Sequence, residues 1–149
     1  MRLFFLLFIL LNLSLNYIFA KEIQIQEREF PKEEFQKQNS EIAFLVAKEI
    51  SKTLPQVVDK YTTLTHIKSD GTTLLYTFEI NSGAKSDDAI RKEDHSRMEK
   101  AITEGVCQSS SKFLSVGINT SYIYVSAKTK EILFQFDITQ DKCTPLKKY

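Results

Sequence analysis

The stretch that decides the fold is GINTSYIYVSAKTKEILFQFDIT, residues 117–139. Apolar and polar residues alternate on both sides of Thr129-Lys130, which is the pattern of two half-buried strands joined by a tight turn. Tyr122 and Tyr124 fall on one side of the first strand. The sequence therefore predicts a β-hairpin, whose second strand directs alternate residues towards a core. These residues are Ile132, Phe134, Phe136 and Ile138.

A second hairpin is predicted around Asp70-Gly71. An Asp-Gly pair between two strand-forming runs is typical of a two-residue hairpin turn, because glycine adopts positive φ without steric cost. The first run extends from Tyr61 to Lys68, and the second covers residues 72–80. In the second run one face is apolar, so this strand also has one buried side. The members of that face are Leu74, Tyr76, Phe78 and Ile80.

A helical pattern precedes each hairpin. The first helix begins at Ser40 and ends near Thr53, before Leu54-Pro55; the second is capped by Ser86 or Asp87. Their inner stripes are Ile42, Leu45, Val46 and Ile50 in the first, and Ile90, Met98, Ala101 and Ile102 in the second. The order helix, strand, strand, repeated once, predicts a two-layer α+β domain. We expect about four antiparallel strands, arranged as two hairpins, with both helices packed on one face.

The amino terminus predicts export. Arg2 is followed by LFFLLFILL, residues 3–11, and a weaker apolar stretch ends at Ala20, which is the pattern of a secretory signal peptide. We therefore divide the chain into a signal peptide (1–20), a polar arm (21–39) and one α+β domain (40–149). An uncleaved anchor is the alternative, because an apolar stretch of this length is at the short edge of what spans a bilayer. After cleavage we expect no stable membrane insertion and a periplasmic or secreted location.

The charge balance argues against two classes of partner. The chain has 20 Lys and Arg residues and 19 Asp and Glu residues. A nucleic-acid-binding domain needs a basic excess to neutralise phosphates, and a polybasic membrane-surface patch needs one as well. We therefore expect no nucleic acid as a partner.

The chain has two cysteines, Cys107 and Cys143, and both lie in the part predicted to be exported. In an oxidising compartment such a pair predicts a disulfide. The alternatives are a reactive thiol or a zinc site. Neither cysteine has a second cysteine or a histidine at the spacing that those functions need.

Strand residues, turn residues and the cysteines between residues 54 and 143 together carry a family resemblance. They are Leu54-Pro55, Val58-Asp59, Thr62, Leu64, Leu75-Tyr76-Thr77-Phe78, Cys107, Gly117, Tyr122-Ile123-Tyr124, Phe136-Asp137-Ile138-Thr139 and Cys143. This pattern resembles a group of small exported bacterial proteins with a two-cysteine α+β domain. The resemblance implies an envelope location and the disulfide, and it supplies no catalytic residue.

The sequence contains no spacing that is typical of a metal site, a nucleophile triad or a phosphate-binding loop. We therefore predict no cofactor, no metal and no enzymatic activity. The candidate binding residues are aromatic or titratable residues on predicted strands, where an exposed ring gives a large contact area at low entropic cost. They are Tyr61, His66, Tyr122 and Tyr124. By alternation His66 accompanies Leu64, so it either borders the core or lies on an open face of the sheet. The other histidine, His95, is predicted to be a solvated residue of the second helix.

These observations predict an exported binding or protein-interaction module of the bacterial envelope. Its partner would be a protein or a small envelope ligand, and its oligomeric state is left open. One alternative is a secreted antagonist that inhibits or neutralises a single partner. A third, weaker hypothesis is a hydrolytic enzyme that uses His66 with a carboxylate from elsewhere in the fold.

Overall fold

The computed structural model describes residues 31–143, which contain four α-helices, five strands and one 3₁₀ turn. The predicted signal peptide and residues 21–30 of the predicted arm lie outside this range. Within the described range, no helix is long and apolar enough to cross a membrane. In chain order the elements are α1 (Lys32–Ser51), β1 (Gln56–Val57), β2 (Thr62–Asp70), β3 (Thr73–Ile80), α2 (Asp87–Arg91), α3 (Ser96–Ser109), α4 (Ser111–Ser115), β4 (Asn119–Ser126), β5 (Ile132–Ile138) and the 3₁₀ turn (Gln140–Lys142).

The strands form one sheet in the order β1-β2-β3-β4-β5. The antiparallel pairs β2–β3 and β4–β5 are the two hairpins predicted from the sequence. Between them β3 and β4 run parallel, with Tyr76 opposite Tyr122. The prediction of four antiparallel strands is therefore wrong in two respects, since the sheet also has a two-residue fifth strand, β1. The central pair is parallel because the helical connection between the hairpins crosses over the sheet and re-enters it in the same direction.

Helix α1 begins at Lys32, well before the predicted start at Ser40. Pro31 precedes it, and a proline at this position already has the backbone angle of a helix and has no N–H to leave unpaired. Residues 32–38 are solvent-exposed. The first turns therefore have no apolar stripe that could mark them in the sequence.

Small side chains line the side of α1 that faces the sheet. Ala43 and Ala47 are buried, and Ile42 and Val46 pack around them. Leu45, predicted for the same stripe, is instead 54% exposed. Because an alanine side chain is a single methyl group, α1 packs closely on β2.

The connection from β3 to β4 contains three helices where one was predicted. Ser86 caps α2, as predicted, by accepting a 3.2 Å hydrogen bond from the backbone N–H of Ala89. A separate helix, α3, then starts where the Asp94 carboxylate accepts a 2.9 Å hydrogen bond from the backbone N–H of Ser96. Each start has its own side-chain acceptor, so the polar stretch divides into two helices.

A register shift between Tyr124 and Val125 interrupts the pairing of β4 with β5. As a result Ile132 pairs with Val125 and is 55% exposed, although the sequence predicted it to be in the core. Phe136 and Ile138, beyond the shift, are buried as predicted. A bulge of this kind moves a side chain from one face of the strand to the other.

The sheet has a covered face and an open face. The covered face carries α1 and α3, as predicted, and includes Leu74, Phe78 and Tyr124. The open face consists of the residues that alternate with these along the strands, because successive side chains point to opposite sides of a sheet. Its members include Lys68, Leu75, Thr77, Ser121, Ile123 and Asp137, of which Ser121 is buried.

Cys107 of α3 and Cys143 form the predicted disulfide, with Cα atoms 5.4 Å apart. The bond joins the second half of α3 to the chain segment that follows β5. It therefore fixes the helix over the edge of the sheet that β5 forms.

Candidate binding site

Aromatic side chains from β3, β4 and β5 stack against one another in the middle of the covered face. The ring centroids of Tyr76 and Tyr122 are 5.1 Å apart. Those of Phe78 and Tyr124 are 5.0 Å apart. The strand register produces both contacts, since each pair is directly opposite across the β3–β4 pairing. We call this set the aromatic floor, and it consists of Tyr76, Phe78, Tyr122, Tyr124, Phe134 and Phe136.

The aromatic floor ends at His95, immediately before α3. Its imidazole stacks on Phe134 with ring centroids 3.8 Å apart. Phe134 in turn stacks on Tyr124 at 4.6 Å. His95, which the sequence suggested to be a solvated helix residue, is therefore part of a continuous aromatic surface.

The two long helices flank the aromatic floor, in which Phe78, Tyr124 and Phe136 are buried. Helix α1 packs on β2 and β3, and α3 packs on β5. The buried residues of the central cluster all come from strands, and they are Leu64, Phe78, Tyr124 and Phe136. Leu54, just after α1, and Ile102, in α3, touch this cluster from its two sides. Tyr76 and Tyr122 remain partly exposed between the helices, and we call this region the inter-helix groove.

One side of α3 faces the inter-helix groove. Cys107 points towards the end of β5, where it is bonded to Cys143. At 100° per residue, Met98, Ala101 and Gly105 lie on the opposite side of the helix. All three are exposed, Met98 by 40%, although Met98 and Ala101 were predicted to be in the core. This side of α3 therefore presents mostly small or flexible side chains, and the exposed Ser109 lies among them.

Burial raises the pKa of the tyrosine hydroxyls on the aromatic floor. The pKa of Tyr122 is raised to about 12, first by burial and then by the neighbouring Tyr76 hydroxyl. The pKa of Tyr124 is also raised to about 12 by burial, and that of Tyr76 is raised for the same reason. These phenols stay protonated at physiological pH. They can therefore donate and accept hydrogen bonds, and they are poor bases.

The four residues predicted to bind do not share one surface. Tyr122 and Tyr124 lie on the aromatic floor. Tyr61 is 57% exposed and precedes β2, with the Lys60 ammonium 5.3 Å from its ring centroid. His66 lies on the open face, because the bulge between Leu64 and His66 reverses the alternation that was used to place it. Their binding roles stay predictions, now divided between two sides of the sheet.

The sequence of the described domain matches one family model. That model, for the domain of unknown function DUF8479, covers residues 37–134, more than half of the chain. The chain belongs to the DUF8479 family. No curated protein matches it by sequence.

Three solved structures resemble this DUF8479 member, each at an identity that establishes the fold alone. An inferred secreted protein from Pseudomonas aeruginosa has a TM-score of 0.65 at 16% identity, over 74% of this chain and 96% of that one. A pilotin of the Vibrio vulnificus type 2 secretion system, EpsS, has a TM-score of 0.62 at 16% identity, and the match covers 75% of this chain and 97% of that one. The Vibrio cholerae type II secretion pilotin AspS has a TM-score of 0.57 at 17% identity, and the match covers 74% of this chain and 96% of that one.

The DUF8479 segment includes most of the aromatic floor. Sequence reasoning missed Tyr76, Phe78 and Phe134 as site residues, because their alternation indicated only a buried face. A tyrosine on such a face is the available signal, since its hydroxyl needs either a polar partner or access to solvent. Tyr76 has that feature and lies directly beside Tyr122.

A second concavity in this DUF8479 member lies on the other side of α3, between the helix and the 3₁₀ turn. It has a volume of about 700 Å³, and the Cys107–Cys143 disulfide forms part of its lining. Charged groups on its rim already pair with each other, such as Lys142 with Glu99 at 3.2 Å. Because of this pairing, the rim presents less unbalanced charge to a ligand than its composition suggests.

Residues 31–143 of this DUF8479 member contain no cluster of metal-ligating side chains. No group of three or more His, Cys, Asp or Glu side chains in that range is placed to hold an ion. His66 and His95 lie on different elements and have different neighbours, Thr65 and Phe134.

Proposed function

We propose that this protein is an exported binding module of the bacterial envelope that holds a segment of a partner protein in the inter-helix groove. The observation that carries the proposal is the pair of stacked, partly exposed tyrosines, Tyr76 and Tyr122, between the two long helices.

Partly buried tyrosines suit this role because they combine large contact area with a hydrogen-bonding end. Such residues dominate the energetics of many protein interfaces, especially where surrounding contacts exclude water. Tyr76 and Tyr122 lie between apolar groups contributed by Leu54 and Ile102. A bound segment with apolar side chains would therefore cover the rings and use their hydroxyls to fix its orientation.

The chemistry of the groove supports binding rather than turnover. Tyr122 and Tyr124 keep their protons because their pKa values are about 12. His66, the residue that an enzyme hypothesis would use, lies on the open face with its Nδ1 atom 3.0 Å from the Thr65 hydroxyl. A hydroxyl does not position an imidazole for catalysis as a carboxylate does.

The solved structures with this fold support a protein partner in the envelope. Two of them are pilotins of type II secretion systems, and one is an inferred secreted protein. We infer that the partner is a protein of an envelope assembly, and that this chain acts in the periplasm or after secretion.

The test is capture of bound proteins by the tagged, exported protein in its native cells, after chemical crosslinking of the envelope. We expect Tyr122→Ala and Tyr76→Ala each to weaken capture by at least about 1 kcal/mol, as at aromatic hot spots. Tyr61→Ala is the matched control, because it removes the same side chain from an exposed position outside the groove. Circular dichroism and urea unfolding establish that each variant is folded.

Met98→Glu covers the case in which a tyrosine variant does not fold. Met98 is 40% exposed on the groove side of α3, so a charge there obstructs an apolar segment with little effect on stability. Equal capture by the wild type, Met98→Glu and the folded tyrosine variants would show that the groove is not the binding site. Loss of capture in Tyr61→Ala alone would move the site to the β1–β2 connection.

A further inference from the structure

The Cys107–Cys143 bond lies in the wall of the concavity between α3 and the 3₁₀ turn, which has a volume of about 700 Å³. Both half-cystines are partly exposed. They also pack against the buried apolar cluster of Val106, Leu114 and Ile138. The bond therefore has one side packed on the core and one side that faces the concavity.

The concavity gives a small molecule access to the sulfur atoms. Thr103 and Lys100 line it one and two turns before Cys107, on the same side of α3. Apart from the two cysteines, all of its lining side chains are polar and either short or flexible. A volume of this size is in the range of small-molecule sites. A compound of a few heavy atoms can therefore enter it and reach the bond.

The charges at the rim are balanced. Lys142 is 3.2 Å from the carboxylate of Glu99, and Lys100 is 4.0 Å from that of Glu104. The attacking form of a thiol is the thiolate, which carries a negative charge. Because each carboxylate has a lysine beside it, the rim does not present the excess of negative charge that would repel a thiolate.

We propose that the Cys107–Cys143 bond is a site of thiol–disulfide exchange in the folded protein, and that its partner is a small thiol that enters the concavity. The thiolate attacks Sγ of Cys107 and forms a new S–S bond. The bond to Cys143 breaks, and its electron pair leaves on Sγ of Cys143, which takes up a proton. A second small thiol displaces Cys107 in the same way, so the small thiol is oxidised to its disulfide and both cysteines are reduced.

The direction of attack follows from the position of each cysteine. Cys107 lies near the C-terminal end of α3, where the partial negative charge of the helix end disfavours a thiolate. Cys143 lies outside the helix, after the 3₁₀ turn. The sulfur that is more stable as a thiolate leaves faster. Cys143 is therefore the leaving group, and the small thiol becomes attached to Cys107.

Opening the bond should loosen α3 before the rest of the domain. Val106 is the only buried residue of α3, whereas α1 has three. Without the bond, α3 keeps the contacts of Val106 and Ile102 and the stack of His95 on Phe134. Elements with few buried contacts open locally at a low free energy. The exchange site is thus an attachment point of α3, and the proposal does not rest on a partner in the inter-helix groove.

Reduction of the purified, oxidised protein by 2-mercaptoethanol tests the proposal, with free thiols alkylated and counted by mass at successive times. Because the folded protein reacts, we expect the rate to change little with urea below the unfolding transition. A rate that follows the whole urea dependence of global unfolding would overturn the proposal, since the bond would then react only in the unfolded chain.

A large side chain in the concavity tests the route of entry. Thr103→Trp should slow the reduction at least about tenfold, because access to the sulfur controls the rate. Arg97→Trp is the matched control, since Arg97 is exposed on the same helix and does not line the concavity. It should leave the rate unchanged, and urea unfolding verifies that both variants are folded. Equal rates in the wild type and the folded Thr103→Trp variant would overturn the concavity as the route.

Two further measurements test the direction and the consequence of the exchange. Peptide mapping after brief treatment with 2-mercaptoethanol should find the adduct on Cys107 and the alkyl group on Cys143, and the reverse would overturn the direction of attack. Hydrogen exchange of the reduced, alkylated protein should be faster in α3 and unchanged in α1. An equal loss of protection in both helices would overturn the role of the bond as a local attachment of α3.

Discussion

The Asn39 side-chain amide donates a 2.6 Å hydrogen bond to the backbone carbonyl of Val116, 77 residues further along the chain. Asn39 is 4% exposed, although it lies in the polar part of α1. The carbonyl belongs to the segment between α4 and β4, which ends the crossover. This bond therefore ties the first turns of α1 to the connection that brings β4 beside β3.

Asn39→Ala should lower the free energy of unfolding by about 1 kcal/mol, the typical contribution of such a hydrogen bond. Asn39→Asp should cost more, because a buried carboxylate oxygen would then face the Val116 carbonyl oxygen. Urea unfolding measures both variants against Gln38→Ala, which truncates an exposed neighbour on the same helix. Equal stability of the Asn39→Asp variant and the wild type would show that the bond contributes nothing.

Loss of the Cys107–Cys143 bond should destabilise the domain by about 2–4 kcal/mol, because it closes a long loop in the unfolded chain. The cysteines are 36 positions apart in the sequence. Urea unfolding with and without a reductant measures the difference, and the double Cys→Ser variant should match the reduced protein. Thiol labelling of the unreduced, denatured protein should find no free thiol. Quantitative labelling of both cysteines in exported material would contradict the bond.

The hairpins could be predicted from the sequence because both are local. Asp70-Gly71 and Thr129-Lys130 stand between alternating strands, and Gly71 and Lys130 do adopt positive φ, +54° and +63°. The parallel contact of β3 with β4 could not be predicted in this way. It is set by the crossover, whose closing contacts, such as that of Asn39 with Val116, join distant parts of the chain and have no local pattern.

The candidate site was only partly predictable for a similar reason. Alternation correctly placed Tyr122 and Tyr124 on the same side of β4, but it does not tell which side the helices cover. His66 was placed with Leu64 because the extra residue at Thr65, which moves it to the open face, has no mark in the sequence. A single bulge was enough to separate one set of candidates into two surfaces.

Export with cleavage is a prediction from residues 1–20. The apolar run after Arg2 and the small residue Ala20 predict a mature chain that starts near Lys21. Intact-mass measurement of protein recovered from the periplasm or the medium checks this. Full-length chain found only in membranes would favour the anchor instead.

Alkaline pH should destabilise the fold through the aromatic floor. Folding raises the pKa of Tyr122 and of Tyr124 to about 12, while an exposed tyrosine in the unfolded chain titrates near 10. Between these values the unfolded state has lost the phenol protons that the folded state keeps, so stability is complete below about pH 10 and falls as pH rises towards about 12. Urea unfolding at a series of pH values in this window should show that fall. Tyr122→Phe should make it shallower, and Tyr61→Phe, which removes an exposed hydroxyl, should not. The same slope in all three proteins would contradict the burial of the Tyr122 hydroxyl, and with it the geometry of the groove.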